Sequence, residues 1–244
     1  MTGPNLAIGL RRAVSLGLLS VFALAVPGPV RGQQGESLEP DWSPGDEPGL
    51  ADWARAHLDS VNALPPTDAQ EEPARRLERL RAFYFLSVEE GKWSDRARDS
   101  VVALREAIPP GSQEEVTLKA YEGALEVVRA KHSRWPPNKL SYLNDGADIL
   151  DGLVAAHPEN LEVRYLRLAS YIFLPFFLRR DDSVSDDLNV LVSELPLHPE
   201  AFSPPIYRGV VTFLLNHGGL EDEPRERFRQ ILQEQRRAVG GSGT

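Results

Sequence analysis

The chain of 244 residues contains no cysteine, which excludes disulfides, thiolate metal sites, cysteine nucleophiles and a lipoprotein anchor. Alternation of apolar and polar residues with period two is also absent, so nothing reads as a half-buried strand. There is no Gly-x-Ser-x-Gly, no Walker A loop and no Gly-x-Gly-x-x-Gly entering a helix. The five histidines, His57, His132, His157, His198 and His217, form neither His-x₃-His nor His-Glu-x-x-His. No catalytic motif, cofactor site or metal site emerges from these patterns, and an enzyme is not expected.

Positive charge is scarce. Lys and Arg number 27 against 36 Asp and Glu, a formal net charge of −9. Sequence-independent binding of nucleic acid needs many cations to neutralise phosphates, so no nucleic-acid partner is expected. An anionic membrane surface would repel such a chain.

The N-terminus predicts the compartment. Arg11-Arg12 precede an apolar or small run from Ala13 to Val26, and Val30-Arg31-Gly32 places small residues at positions −3 and −1 of a cleavage site. The run is short for a hydrocarbon core of ~30 Å, and it matches a cleaved secretory signal over residues 1–32. An uncleaved anchor is the alternative. Cleavage would leave 24 Lys and Arg against 36 acids, a net charge of −12. The mature protein is expected in the periplasm or outside a bacterial cell, with no membrane insertion after cleavage. Residues 33–49 are rich in Pro, Gly, Asp and Glu and predict a disordered linker. Residues 240–244 predict a floppy tail.

Between them, apolar residues recur at helical spacing. Leu77, Leu80, Tyr84 and Val88 make one stripe, and Ala97, Val101, Leu104 and Ile108 the next. Ser112 with Glu115 forms a capping-box start for a stripe through Thr117, Ala120, Tyr121, Ala124, Leu125 and Val128. Leu140, Leu143, Ala147, Leu150 and Val154 predict a fifth helix, and Leu161, Tyr165, Leu168, Ala169, Ile172 and Phe173 a sixth that Pro175 kinks or stops. Further stripes run from Val184 to Leu195, from Ile206 to Leu214 behind Ser203-Pro204-Pro205, and through Phe228, Ile231 and Leu232. With a first helix near Leu50–Leu64, about nine helices fill an all-α domain over residues 50–239. Tyr171, Phe173, Phe176 and Phe177 are expected in its core.

Ala156-His157-Pro158-Glu159 and Leu197-His198-Pro199-Glu200 lie 41 positions apart, each between two helices. With Tyr165, Leu168, Ala169 and Ile172, and the Pro-x-Asn-x-Glu run at Pro158–Glu162, this stretch resembles the tetratricopeptide-repeat (TPR) family, whose repeat is 34 residues. The resemblance implies helix pairs stacked as a right-handed αα-superhelix with a groove for a protein or peptide. Residues 129–200 are also similar to uncharacterised secreted bacterial proteins, a likeness that implies no activity.

One surface stands out by charge. Arg129, Lys131, Arg134 and Lys139 occur with no acid among them, beside His132, Trp135 and Tyr142. Arg164 and Arg167 share a side of the sixth helix. The candidate binding residues are therefore Lys131, His132, Arg134, Trp135, Lys139, Tyr142, Arg164 and Arg167, forming an anion pocket walled by Trp135. In the competing reading the cations pair with Asp145, Asp148, Asp151 and Glu162 while Trp135 plugs a core edge. The expected function is a secreted scaffold, of unknown oligomeric state, for a protein or peptide partner, with anionic groups on that partner if the basic pocket binds it. A helical enzyme acting on an anionic substrate through the basic pocket, or an envelope protein held by an uncleaved N-terminal helix, is the alternative.

Overall fold

The computed structural model describes residues 49–63, 73–174, 178 and 180–240. The expected signal segment, the linker up to Pro48 and the tail from Gly241 lie outside them, as do Leu64, Pro175, Phe176 and Phe177. The described residues are all-helical, with nine α-helices, three short 3-10 turns and no strand. The helices are α1 (Leu50–Ala63), α2 (Pro73–Glu89), α3 (Ser94–Ala107), α4 (Gln113–His132), α5 (Pro136–Ala156), α6 (Leu161–Tyr171), α7 (Asp181–Glu194), α8 (Pro204–His217) and α9 (Asp222–Gly240). None is long and apolar enough to cross a membrane.

Local chemistry sets the helix ends. The Ser112 hydroxyl accepts from the Glu115 amide at 3.2 Å, while the Glu115 carboxylate reaches one residue further back, to the amide of Gly111 at 2.5 Å. Asn160 caps α6 by accepting from the amides of Glu162 and Val163, both at 3.0 Å. Prolines open α5 and α8, where a missing N–H costs nothing. The two His-Pro turns share one backbone shape: His157 has φ −134° and ψ 62°, and His198 has φ −126° and ψ 61°.

The stripes face inward and make one main core, filled by Leu80, Leu86, Leu104, Leu118, Leu166 and Leu191 among others. Burying each such leucine contributes about 1.5–3 kcal/mol. A smaller cluster under α4 and α5 holds Val127, Ala130, Leu143, Ala147, Tyr171 and Leu174. Leu140 departs from its stripe: it is 48% exposed. Phe173 is half-buried, its ring edge-on to Phe213 at 6.1 Å.

From α1 to α7 each helix packs on the next, as α8 does on α9, and α2, α4 and α6 also pack in succession. Elements distant in sequence meet as well: the Ser203 hydroxyl donates to Glu78 of α2 at 3.4 Å. α1 lies against α8, with the side chain of Leu50 over Gly209 so closely that a Cβ there would overlap it.

Candidate functional site

The eight residues singled out by sequence fall into separate groups. Lys131 and His132 close the C-terminus of α2. The Lys131 ammonium donates to the Val88 carbonyl at 2.8 Å, and the His132 ring nitrogen Nε2 lies 2.9 Å from the Ser87 carbonyl oxygen. Cations are favoured there by the helix dipole. Burial lowers the pKa of Lys131, against the pull of nearby Glu89.

Arg164 and Arg167 lie elsewhere. Asp151, which binds Arg167, is twelve residues from Lys139 along α5, roughly 18 Å at 1.5 Å per residue. Both arginines are buried in a network that ties α5, α6 and α7. Asp187, fully buried, accepts from Arg164 Nη1 at 2.9 Å and from Arg167 Nε and Nη2 at 2.7 and 2.8 Å. Arg164 also bonds Asp186 at 2.7 Å and the Pro158 carbonyl, and Arg167 reaches Asp151 at 3.1 Å. Arg180 completes the chain through Asp151 at 2.7 Å, with its guanidinium 5.3 Å from the Tyr171 ring centroid. Burial pushes the Asp187 carboxyl up, and the guanidinium N–H groups of Arg167 and Arg164 pull it back towards the charged form. This arrangement holds three helices together; its donors and acceptors are turned on each other.

The remaining residues sit outside. Trp135 is 64% exposed and plugs nothing. Arg134 is exposed, Lys139 and Tyr142 are half-buried, and the Arg129 guanidinium stacks 3.8 Å from the Tyr142 ring centroid. Of the aspartates expected to pair with the basic residues, Asp145 accepts from Ser141 at 3.4 Å and Asp151 belongs to the arginine network. No group of three or more His, Asp or Glu side chains among the described residues could hold a metal ion.

A sizeable hollow lies where sequence did not point. A cleft of about 940 Å³ opens at the N-terminal ends of α2, α4 and α6, closed on one side by α7 and the second His-Pro turn. α2 supplies Leu77, Glu78 and Arg81, α4 supplies Glu114 and Thr117, and α6 supplies Leu161 and Glu162. Glu162 forms the floor. Its carboxylate takes a bidentate pair from Arg81 at 2.7 and 2.6 Å and a third bond from the Tyr121 hydroxyl at 2.8 Å. Glu78 binds the remaining arm of Arg81 at 2.7 Å. Burial opposes the charge on Arg81 and Glu162 more than restores it, raising its pKa; burial and the same carboxylate raise that of Tyr121.

So the floor is rigid and electrostatically closed, and the rim is open. Glu114 and Glu159 are exposed, with no cationic partner among the described residues. Arg81 and Glu162 are 81 positions apart, which no local spacing rule connects. The one available signal was a charged residue inside the apolar run Leu161-Glu162-Val163. A second hollow, about 650 Å³, lies between α1, α2 and α3 and is walled by Trp93 stacked on Phe83. Comparison with family models, curated proteins and solved structures finds no match to this chain.

Proposed function

We propose that this is a helical binding scaffold, exported to the periplasm or cell exterior, whose cleft at the ends of α2, α4 and α6 receives an extended segment of a protein partner. The observation that supports it is the cleft itself: three alternate helices contribute one turn each to a hollow large enough for several side chains. Alternate helices lining a common groove are what a TPR-like stack of helix pairs provides. The succession α2, α4, α6 and the matching His-Pro turns favour that arrangement. The rigid floor suits recognition, because a pre-organised wall loses little entropy on binding. Its carboxylate has its hydrogen-bonding capacity occupied by Arg81 and Tyr121, which suits a strut better than a proton-transfer group.

The test uses the rim, where substitution spares the fold. Peptides selected from a displayed random library on the purified protein are titrated against wild type, Glu114→Arg and Glu159→Arg. At least one family of binders should change affinity by threefold or more in the rim variants. Binders indifferent to both changes would place recognition elsewhere.

A further inference from the structure

Trp135 is the most exposed of the large apolar side chains among the described residues, and the backbone that carries it is fixed. It is the N-cap of α5, with φ −97° and ψ 116°. Its carbonyl accepts the Lys139 amide at 3.1 Å, and Pro136 and Pro137 lock the next two residues. Behind it α5 runs 21 residues and packs along α4 at a glycine-to-glycine contact. An indole presented to solvent on so stiff a mount exposes apolar surface without a folding benefit, and the backbone that carries it needs no further ordering when a partner arrives.

Its surroundings are basic. Trp135, Lys139 and Tyr142 follow at i, i+4 and i+7, one side of a helix, with Arg129, which also pairs with Glu126 at 3.4 Å, laid over Tyr142, and Arg134 exposed one residue before Trp135. Between Arg129 and Tyr142 there is no acid, in a chain where acids outnumber Lys and Arg by 36 to 27. Arg134 has no acidic partner among the described residues.

We infer that the Trp135–Lys139–Tyr142 face is a second docking surface, independent of the cleft, for a protein partner that offers an apolar pocket rimmed by carboxylates. Charge complementarity selects the rim, and the indole selects the pocket: a rigid aromatic surrounded by cations is the composition of an interface hot spot. An anionic bilayer shares the charge requirement but is the poorer fit. One partly exposed indole offers far less apolar surface than stable membrane attachment takes, and the acidic remainder of the domain opposes approach.

A displayed random peptide library is panned on the purified full chain at low salt, and recovered peptides are titrated against variants. The face should select peptides combining apolar residues with Asp or Glu. Trp135→Ala should weaken these at least tenfold and Trp135→Phe less, while Arg134→Glu should weaken them at least threefold. Binding should fall as salt rises. The Trp135→Ala melting temperature should stay within about 2 °C of wild type, since the side chain is exposed, and Glu114→Arg at the cleft should leave these peptides unaffected. Failure to recover any peptide whose binding depends on Trp135 overturns the proposal. So does Trp135-dependent binding only to vesicles of equal phosphatidylglycerol and phosphatidylcholine, which would make the face a membrane contact.

Discussion

Gly146 of α5 meets Gly123 of α4 so closely that a Cβ on Gly146 would stand 2.5 Å from the Gly123 carbonyl oxygen and 3.1 Å from the Val127 amide nitrogen. Both obstacles are helix backbone and cannot swing aside. Gly146→Ala would gain up to about 1 kcal/mol in helix propensity, but overpacking costs about 1–3 kcal/mol, so net destabilisation is expected. Gly152, six residues on in the same helix, has nothing within 4 Å of the same position. Gly152→Ala should therefore stabilise, by about 0.5–1 kcal/mol. Urea titrations of the two variants should move in opposite directions.

The arginine network makes a sharper claim. Asp187→Ala strands Arg164 and Arg167, both buried, without their shared carboxylate. Removing one side of a buried ion pair costs about 3–5 kcal/mol, because the abandoned charge stays desolvated. Replacing all three residues together by apolar ones of similar volume should recover much of that loss. A triple variant as unstable as Asp187→Ala would show that the network contributes beyond its charges.

Asn160→Ala removes both hydrogen bonds that open α6 and should cost about 1–2 kcal/mol. Asn160→Asp keeps an acceptor at the same place and should cost less. Thermal melts of the two variants decide whether the cap acts through its acceptor.

Alkali should unfold the domain. Burial raises the phenols of Tyr84, Tyr121 and Tyr165 above their ordinary value, with Glu162 adding to the rise at Tyr121 and Tyr84 at Tyr165. A raised folded-state pKa contributes stability that is complete below the unfolded value of about 10. It is lost as pH climbs from there towards the folded values, at up to ~1.4 kcal/mol per pH unit for each phenol. Tyrosinate absorbance and loss of helical circular dichroism should rise together above about pH 10. Tyrosinate formed well before helix is lost would mean these phenols reach solvent in the folded state.

Periodicity disclosed the helices because each buries one stripe, and a stripe is a local pattern. Leu77, Val101, Leu150 and Leu214 all face inward as their spacing predicts. Leu140 does not, since spacing marks a residue as part of a stripe without saying how far the partner helices cover the stripe's end. The charges were less legible. Lys131, Lys139, Arg164 and Arg167 look alike as letters, yet Lys131 ended against helix α2 and Lys139 half-buried on α5, while the arginines became buried ties. The partner that decides each case, Asp187 for Arg167 or Arg81 for Glu162, sits on another helix at a separation set only by the fold. Trp135 was ambiguous for the same reason, and its 64% exposure is a fact about neighbours that are absent.

The contact of α1 with α8 also limits how such a chain can change in length. Stacked helix pairs are added to or removed from an open array with each neighbour meeting much the same surface as before. Here Leu50 already lies over Gly209, so closely that a methyl group on that glycine would force the leucine side chain to shift. An inserted or deleted pair between α2 and α7 would shift α8 away from α1, uncover Leu50 and Gly209 together, and leave two faces without partners. Helix number is thus constrained by this closing contact, and tolerated insertions should lengthen loops before they add helices.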